Sequence, residues 1–167
     1  MALVSAENRD KGTFAEQALM QWLDVSNMPY VYTDQKYDTY PRKLVAHLKR
    51  PDFLVGVTGL GSLAVEVKGY TRYENTFAVE LQEVQRLASF QKYFNMTVFY
   101  AFIPPEHRFE LCWLISNDEF ERFGKTTRLK GKSMLRLPSR AEDCYDMTKE
   151  TFMAALGKQI QHEPDDL

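Results

Sequence analysis

Apolar positions along the chain recur with two different periods, and these periods divide it into predicted elements. Over residues 13–24, Phe14, Ala18, Leu19, Trp22 and Leu23 follow helical spacing, and Asn27 and Pro29 stop the helix. Glu16 lies at the border of its apolar face. Residues 31–49 mix Tyr and Val with Pro41 and several charges, the pattern of a short strand followed by an irregular, partly basic stretch. Residues 52–57 form a short apolar run that ends in the turn-forming Thr58-Gly59-Leu60-Gly61, and residues 62–68 then alternate, which predicts a β-hairpin. Strand side chains have period two, so Leu63, Val65 and Val67 share one face while Ala64, Glu66 and Lys68 share the other. Two opposite charges therefore project from one sheet face.

A polar connection leads to residues 81–94, where Leu81, Val84, Leu87, Ala88 and Tyr93 or Phe94 predict an amphipathic helix. Residues 96–103 are almost continuously apolar, as expected of an interior strand covered on both faces in an α/β sheet. Residues 109–115 read as its neighbour, with Pro104 and Pro105 in the connection. Ser116 and Glu119 have the spacing of a capping box and open a short helix through Phe123. A last helix over about residues 149–160 is expected to pack Phe152, Met153, Leu156 and Ile160 against the sheet.

The 167 residues are 44% hydrophobic and 26% charged with a net charge of -2, values of an ordinary folded domain that needs no disulfide or structural metal. No repeat, low-complexity tract or Gly/Ser linker divides the chain, so one domain is expected: a core over about 12–115, a basic segment at 122–140 and the helix at about 149–160. Cys112 and Cys144 lie far apart without zinc-ligand spacing, which points to a reduced, cytoplasmic setting. No apolar run approaches a membrane span and no signal-peptide pattern opens the chain. The net acidity excludes a uniformly basic nucleic-acid coat protein but not a local basic surface. Charge is in fact unevenly spread: residues 122–140 hold seven Lys or Arg and no acid, and the balance reverses after residue 142.

Three chemistry-bearing elements occur in order: Glu16 on the first helix, Pro51-Asp52 at the start of the hairpin, and Glu66-Val67-Lys68 in its second strand. This set resembles the PD-(D/E)XK nuclease superfamily, whose pattern is a proline-aspartate element, a hairpin and an acid-x-lysine element, often with a glutamate on a preceding helix. Within it, the chain is similar to the archaeal type of Holliday junction resolvase. The likeness rests on Gly12-Thr13-Phe14-Ala15-Glu16, Arg50-Pro51-Asp52-Phe53-Leu54-Val55, Val65-Glu66-Val67-Lys68-Gly69 and the helix beginning Leu81-Gln82-Glu83-Val84, about half the chain. It implies an α/β, restriction-endonuclease-like fold, a mixed central sheet flanked by helices. It further implies a Mg²⁺-dependent DNA endonuclease, with branched DNA as a substrate class in repair, recombination or mobile-element processing. A homodimer would follow, because paired symmetric cuts need two active sites.

The residues make chemical sense of that implication. Carboxylates on adjacent hairpin strands, Asp52 and Glu66, can share one hard, oxygen-seeking cation such as Mg²⁺, with Mn²⁺ as a substitute. The Val67 carbonyl supplies a further ligand, and Glu16 completes the shell or binds a second metal. A bound divalent ion activates water and stabilises charge on a phosphoryl oxygen. Lys68, on the face of Glu66, orients the water or offsets developing charge, and Gln82 or Gln85 orients the water or a phosphate.

Arg42, Lys43, Lys49 and Arg50, just before Pro51-Asp52, are candidate phosphate contacts, and Tyr70 and Arg72 with Tyr73 could clamp or stack on the substrate. The 122–140 segment either contacts DNA, pairs with the acidic C-terminal segment, or forms a loop. His47, His107 and His162 have no ligand spacing, and Gly59-Leu60-Gly61 is hairpin chemistry rather than a nucleotide fingerprint. Two other readings stay open: a noncatalytic DNA-binding or assembly module on the same fold, and a nuclease acting on RNA.

Overall fold

The computed structural model describes residues 2–33, 41, 43–70 and 74–161, with side chains from residue 11 onward. A six-stranded mixed sheet forms its centre, in the order β1 (Tyr30–Tyr32), β2 (Phe53–Val57), β3 (Gly61–Lys68), β5 (Val98–Phe102), β6 (Leu111–Ser116) and β9 (Cys144–Asp146). Strands β3 and β5 run parallel and every other neighbouring pair is antiparallel. A parallel pair needs a long crossover, and helix α2 (Leu81–Phe94) provides it.

Each sheet face has its own core. On one side α1 (Ala2–Val25) and α4 (Phe152–Gln161) bury Leu19, Trp22, Leu23, Phe152 and Leu156 against Phe53, Val65, Val67 and Ala101. On the other, α2 and α3 (Asn117–Phe123) bury Val84, Leu87, Phe90 and Phe120 against Ala64, Val98, Tyr100 and Phe102. All five residues of β5 are buried, as its unbroken apolar sequence requires of a strand covered on both faces.

The hairpin registers Phe53 with Val65 and Val57 with Gly61, so the alternation read from the sequence is the alternation of the sheet. Helix α3 carries the reciprocal cap: Ser116 Oγ accepts from the Glu119 N–H, and Glu119 Oε2 accepts from the Ser116 N–H.

The structure corrects four expectations. The polar connection before α2 contains a strand, β4 (Thr76–Glu80), and the basic segment contains a hairpin, β7 (Lys125–Leu129) and β8 (Lys132–Pro138). These form a separate three-stranded sheet in the order β4-β8-β7, laid over the second core through Phe77, Val79, Leu135 and Leu137. The basic segment is therefore a hairpin rather than a loop, and its Arg140 pairs with Glu142 and Asp143. Helix α1 extends far upstream of residue 13, and Phe14 is 55% exposed while Ala15 faces the core. In α4 the buried face is Phe152, Ala155, Leu156 and Gln159, whereas Met153 and Ile160 point outward. Gln159 is drawn inside by the hydroxyl of Tyr145, which donates to its Oε1 at 2.9 Å. Both cysteines are free thiols, and no helix among the described residues is long and apolar enough to cross a membrane.

Candidate active site

The C-terminal end of β3 brings Glu66 and Lys68 onto the sheet face covered by α2, at 2% and 7% exposure. Two ionised groups at that depth need partners, and they find them in each other and in two residues from outside the hairpin. Lys68 Nζ donates to Glu66 Oε1 at 2.7 Å and lies 2.8 Å from Glu83, in the first turn of α2. Lys49 Nζ donates to the same Glu66 oxygen and, at 2.6 Å, to Glu83. Two lysines and two glutamates thus form a closed ring of charge-assisted hydrogen bonds.

Asp52 enters from the residue before β2. Its Oδ2 accepts from the Val67 N–H at 2.8 Å, which fixes the carboxyl beside Glu66. Burial, then the Glu66 charge, pushes the Asp52 carboxyl up to about 7, opposed by the Val67 hydrogen bond and by Lys49 and Lys68. Burial on its own would lower Lys68, but Glu66 and Glu83 hold it well above the ordinary lysine value. Burial opposes ionisation of Glu83 too, and the two lysines overcome it and hold that carboxyl below its usual range.

Glu66 Oε2 is buried and has no hydrogen-bond partner among the described residues. Asp52 lies beside the same carboxylate, whose charge opposes its ionisation, so the site pairs an acceptor without a partner among the described residues with a second acid. Asp52, Glu66 and the Val67 carbonyl suit Mg²⁺, which takes one or two carboxylates and keeps its waters. Among the described residues no cluster of three His, Cys, Asp or Glu side chains offers a full protein cage.

Glu16 stands apart from this ring. Its Oε2 accepts the Tyr32 hydroxyl at 2.7 Å, and that bond, followed by burial, raises the Tyr32 hydroxyl to about 12. Tyr32 lies within electrostatic reach of both Glu16 and Asp52, so Glu16 borders the site through a tyrosine.

The helix side chain in the site is Glu83, not Gln82, which like Gln85 is exposed. Glu83 was legible in principle: stepping back from the buried Phe90 and Leu87 by helical periods lands on 83. Lys49 is likewise turned inward rather than toward solvent. Arg86 of α2 donates to the carbonyls of Val45 (3.0 Å) and Leu48 (2.7 Å), and Leu48 is buried, so the chain before Lys49 is tied to the helix. Of the other candidate contacts, Lys43 and Tyr70 are exposed, Arg50 is half-buried, and the Tyr70 ring centroid lies 5.7 Å from Lys68 Nζ. Arg42, Arg72, Tyr73 and His162 lie outside the described residues.

The mixed six-stranded sheet with helices on both faces is a restriction-endonuclease-like, resolvase-like fold. Among solved structures it is similar to Hjc, a Holliday junction resolvase from the archaeal hyperthermophile Archaeoglobus fulgidus, with a TM-score of 0.50 and 20% sequence identity over 77% of this chain and 84% of that one. Comparison of the sequence with family models and with curated proteins gives no match.

Proposed function

We propose that the protein is a Mg²⁺-dependent endonuclease of the PD-(D/E)XK type that hydrolyses phosphodiester bonds in DNA, with branched DNA as its substrate class. The observation that carries this reading is the buried Glu66 carboxylate, bound by Lys68 through one oxygen, without a partner among the described residues at the other, and crowded by Asp52. A structural ion pair has no use for an orphaned oxygen beside a second acid. The similarity to a Holliday junction resolvase supports the choice of substrate class, and with it a homodimer.

In this reading Asp52 and Glu66 would hold the cation, which would supply an activated water and charge stabilisation at the phosphoryl oxygen. Lys68 holds its proton throughout and presents a fixed positive charge where negative charge develops. Glu83 and Lys49 keep the Lys68 ammonium aimed at Glu66, so it costs no reorganisation when substrate arrives. The Tyr32–Glu16 pair fixes the outer wall next to Asp52.

The test is cleavage of labelled single-stranded, duplex, flap and four-way-junction DNA, and of an RNA duplex, with and without Mg²⁺ or Mn²⁺, by the native protein and Lys68→Ala. Metal-dependent cutting strongest on branched DNA and lost in the variant is expected. Preferential cutting of RNA would move the reading to a ribonuclease. No cutting, with no Mg²⁺ binding by calorimetry, would overturn it in favour of a noncatalytic module.

A further inference from the structure

The ring around Lys68 uses none of the cations that follow α3, although these are the densest positive charge in the chain. They are carried on a built structure. Strands β7 and β8 are joined by a two-residue turn in which Lys130 (φ 49°) and Gly131 (φ 80°) both take the left-handed conformation, the tight connection whose twist matches a β-ribbon. The base of the ribbon is rooted in the core: Leu135 and Leu137 are buried, and their partner strand β4 stacks Phe77 on Phe102 at 4.1 Å between ring centroids. The far end is not. Arg128 and Leu129 of β7 and Lys132 and Ser133 of β8 are exposed on both faces of the sheet, so the tip stands clear of the body, and Lys125 is exposed at the base, opposite Arg136.

Its charges are available. Lys125, Arg128 and Lys130 make no ion pair among the described residues, and Lys132 pairs only with Glu80, itself exposed, a contact that is easily exchanged. Its location is informative. Glu80 immediately precedes α2, three residues before Glu83, and Lys132 lies within electrostatic reach of Glu83 and Tyr70, so the ribbon rises at the rim of the candidate active site.

We propose that the β7–β8 ribbon is an arm that grips the phosphate backbone of duplex DNA running out of the active site, through Lys125, Arg128, Lys130 and Lys132. This assignment rests on the nuclease reading above and names the part of the substrate that reading leaves unplaced. A duplex is favoured over a single strand because residues 125–138 contain no aromatic side chain, and sequence-tolerant single-strand grooves depend on aromatic stacking. Cations along both strands of a protruding ribbon instead follow the charge of a duplex backbone, which binds through counterion release.

The experiment is fluorescence anisotropy of labelled duplex DNA in EDTA, between 50 and 200 mM salt, with the native protein, the control Lys158→Ala, the triple variant Lys125→Ala/Arg128→Ala/Lys130→Ala, and the single charge reversal Lys130→Glu at the exposed turn. Duplex affinity of the triple variant is expected to fall at least tenfold, with the slope of log K against log salt shallower by about 2–3, on the order of 0.9 for each lost phosphate contact. Lys130→Glu is expected to weaken binding by itself, and it keeps the question answerable should the triple variant fold poorly. Lys158→Ala, at an exposed position of α4 on the opposite sheet face, is expected to keep the native slope. Duplex binding by both arm variants with native affinity and slope would overturn the arm while leaving the nuclease reading intact. Arm-dependent duplex binding by a native protein that cuts nothing would uphold the arm and sink the nuclease. Binding of an acidic protein such as polyglutamate as tightly as DNA, with the same loss in the variants, would overturn the assignment to DNA.

Discussion

Glu66 and Tyr100 are register partners across the parallel β3–β5 ladder, and each ends in a buried oxygen with no hydrogen-bond partner among the described residues. They differ in what that costs. The Glu66 oxygen stands at the proposed cation site, whereas the Tyr100 ring packs in the second core against Phe102 and Phe120, its ionisation opposed by burial and then by Glu83.

Tyr100→Phe removes a buried group that bonds to nothing, so the urea midpoint is expected to rise, by a free energy of about 1 kcal/mol. A fall of similar size would mean that the hydroxyl has a partner such as an ordered water.

Glu83 and Gln82 are adjacent in α2 but only Glu83 reaches the lysines. Glu83→Gln keeps the shape and removes the charge that orients Lys68; cleavage is expected to fall by about 10–100-fold, the usual effect of losing a residue that supports a metal site. Gln82→Ala is expected to leave the rate unchanged. Single-turnover rates of the two variants decide between them, and the opposite ranking would return the role to the glutamine.

Metal-free stability is expected to carry the mark of Asp52. Its carboxyl titrates near 3.8 ordinarily and about 7 in the fold, so below pH 4 both states are protonated and no penalty exists. Between these values the folded state keeps a proton that the unfolded state has released, and stability falls as pH rises, the loss being complete above about pH 7. Denaturation in EDTA across this window should show that decline in the native protein and a flatter profile in Asp52→Asn. Parallel profiles would remove Asp52 as its source.

Gly69 follows Lys68 at the point where β3 passes under α1. A Cβ there would lie 2.5 Å from the Lys11 carbonyl oxygen and 3.2 Å from the Ala15 Cβ, and the first contact is backbone that cannot swing aside. Gly69→Ala is therefore expected to cost about 1–3 kcal/mol, read as a lower thermal midpoint. An unchanged midpoint would show that α1 can shift without loss.

Much of the site could be read from the chain because it depends on local patterns. The hairpin from Asp52 to Lys68 is defined by alternation and a glycine turn, α2 by its apolar stripe, and α3 by its capping box. What escaped depends on long-range pairing. Strand β4 has only Phe77 and Val79 as inward residues, too short an alternation to mark a strand until Leu135 and Leu137 of β8 close over it. The burial of Lys49 and Glu83 escapes for a different reason: charged residues are expected outside, and only the meeting of two lysines with two acids makes it feasible to bury them.

The two sheets also differ in how far along the chain their partners lie. Every charged residue of the ring, with Asp52, falls between positions 49 and 83, whereas β4 registers Thr76 with Pro138 and Glu80 with Met134. The entropy of closing a loop grows with its length, and contacts distant in sequence slow the approach to the native state. The β2–β3 hairpin and its charges, and the β7–β8 hairpin by itself, can thus assemble while the arm is still undocked from β4. Until β8 docks, Phe77 and Val79 stay uncovered, so a late-docking arm leaves the chain with an apolar, unprotected strand edge during refolding.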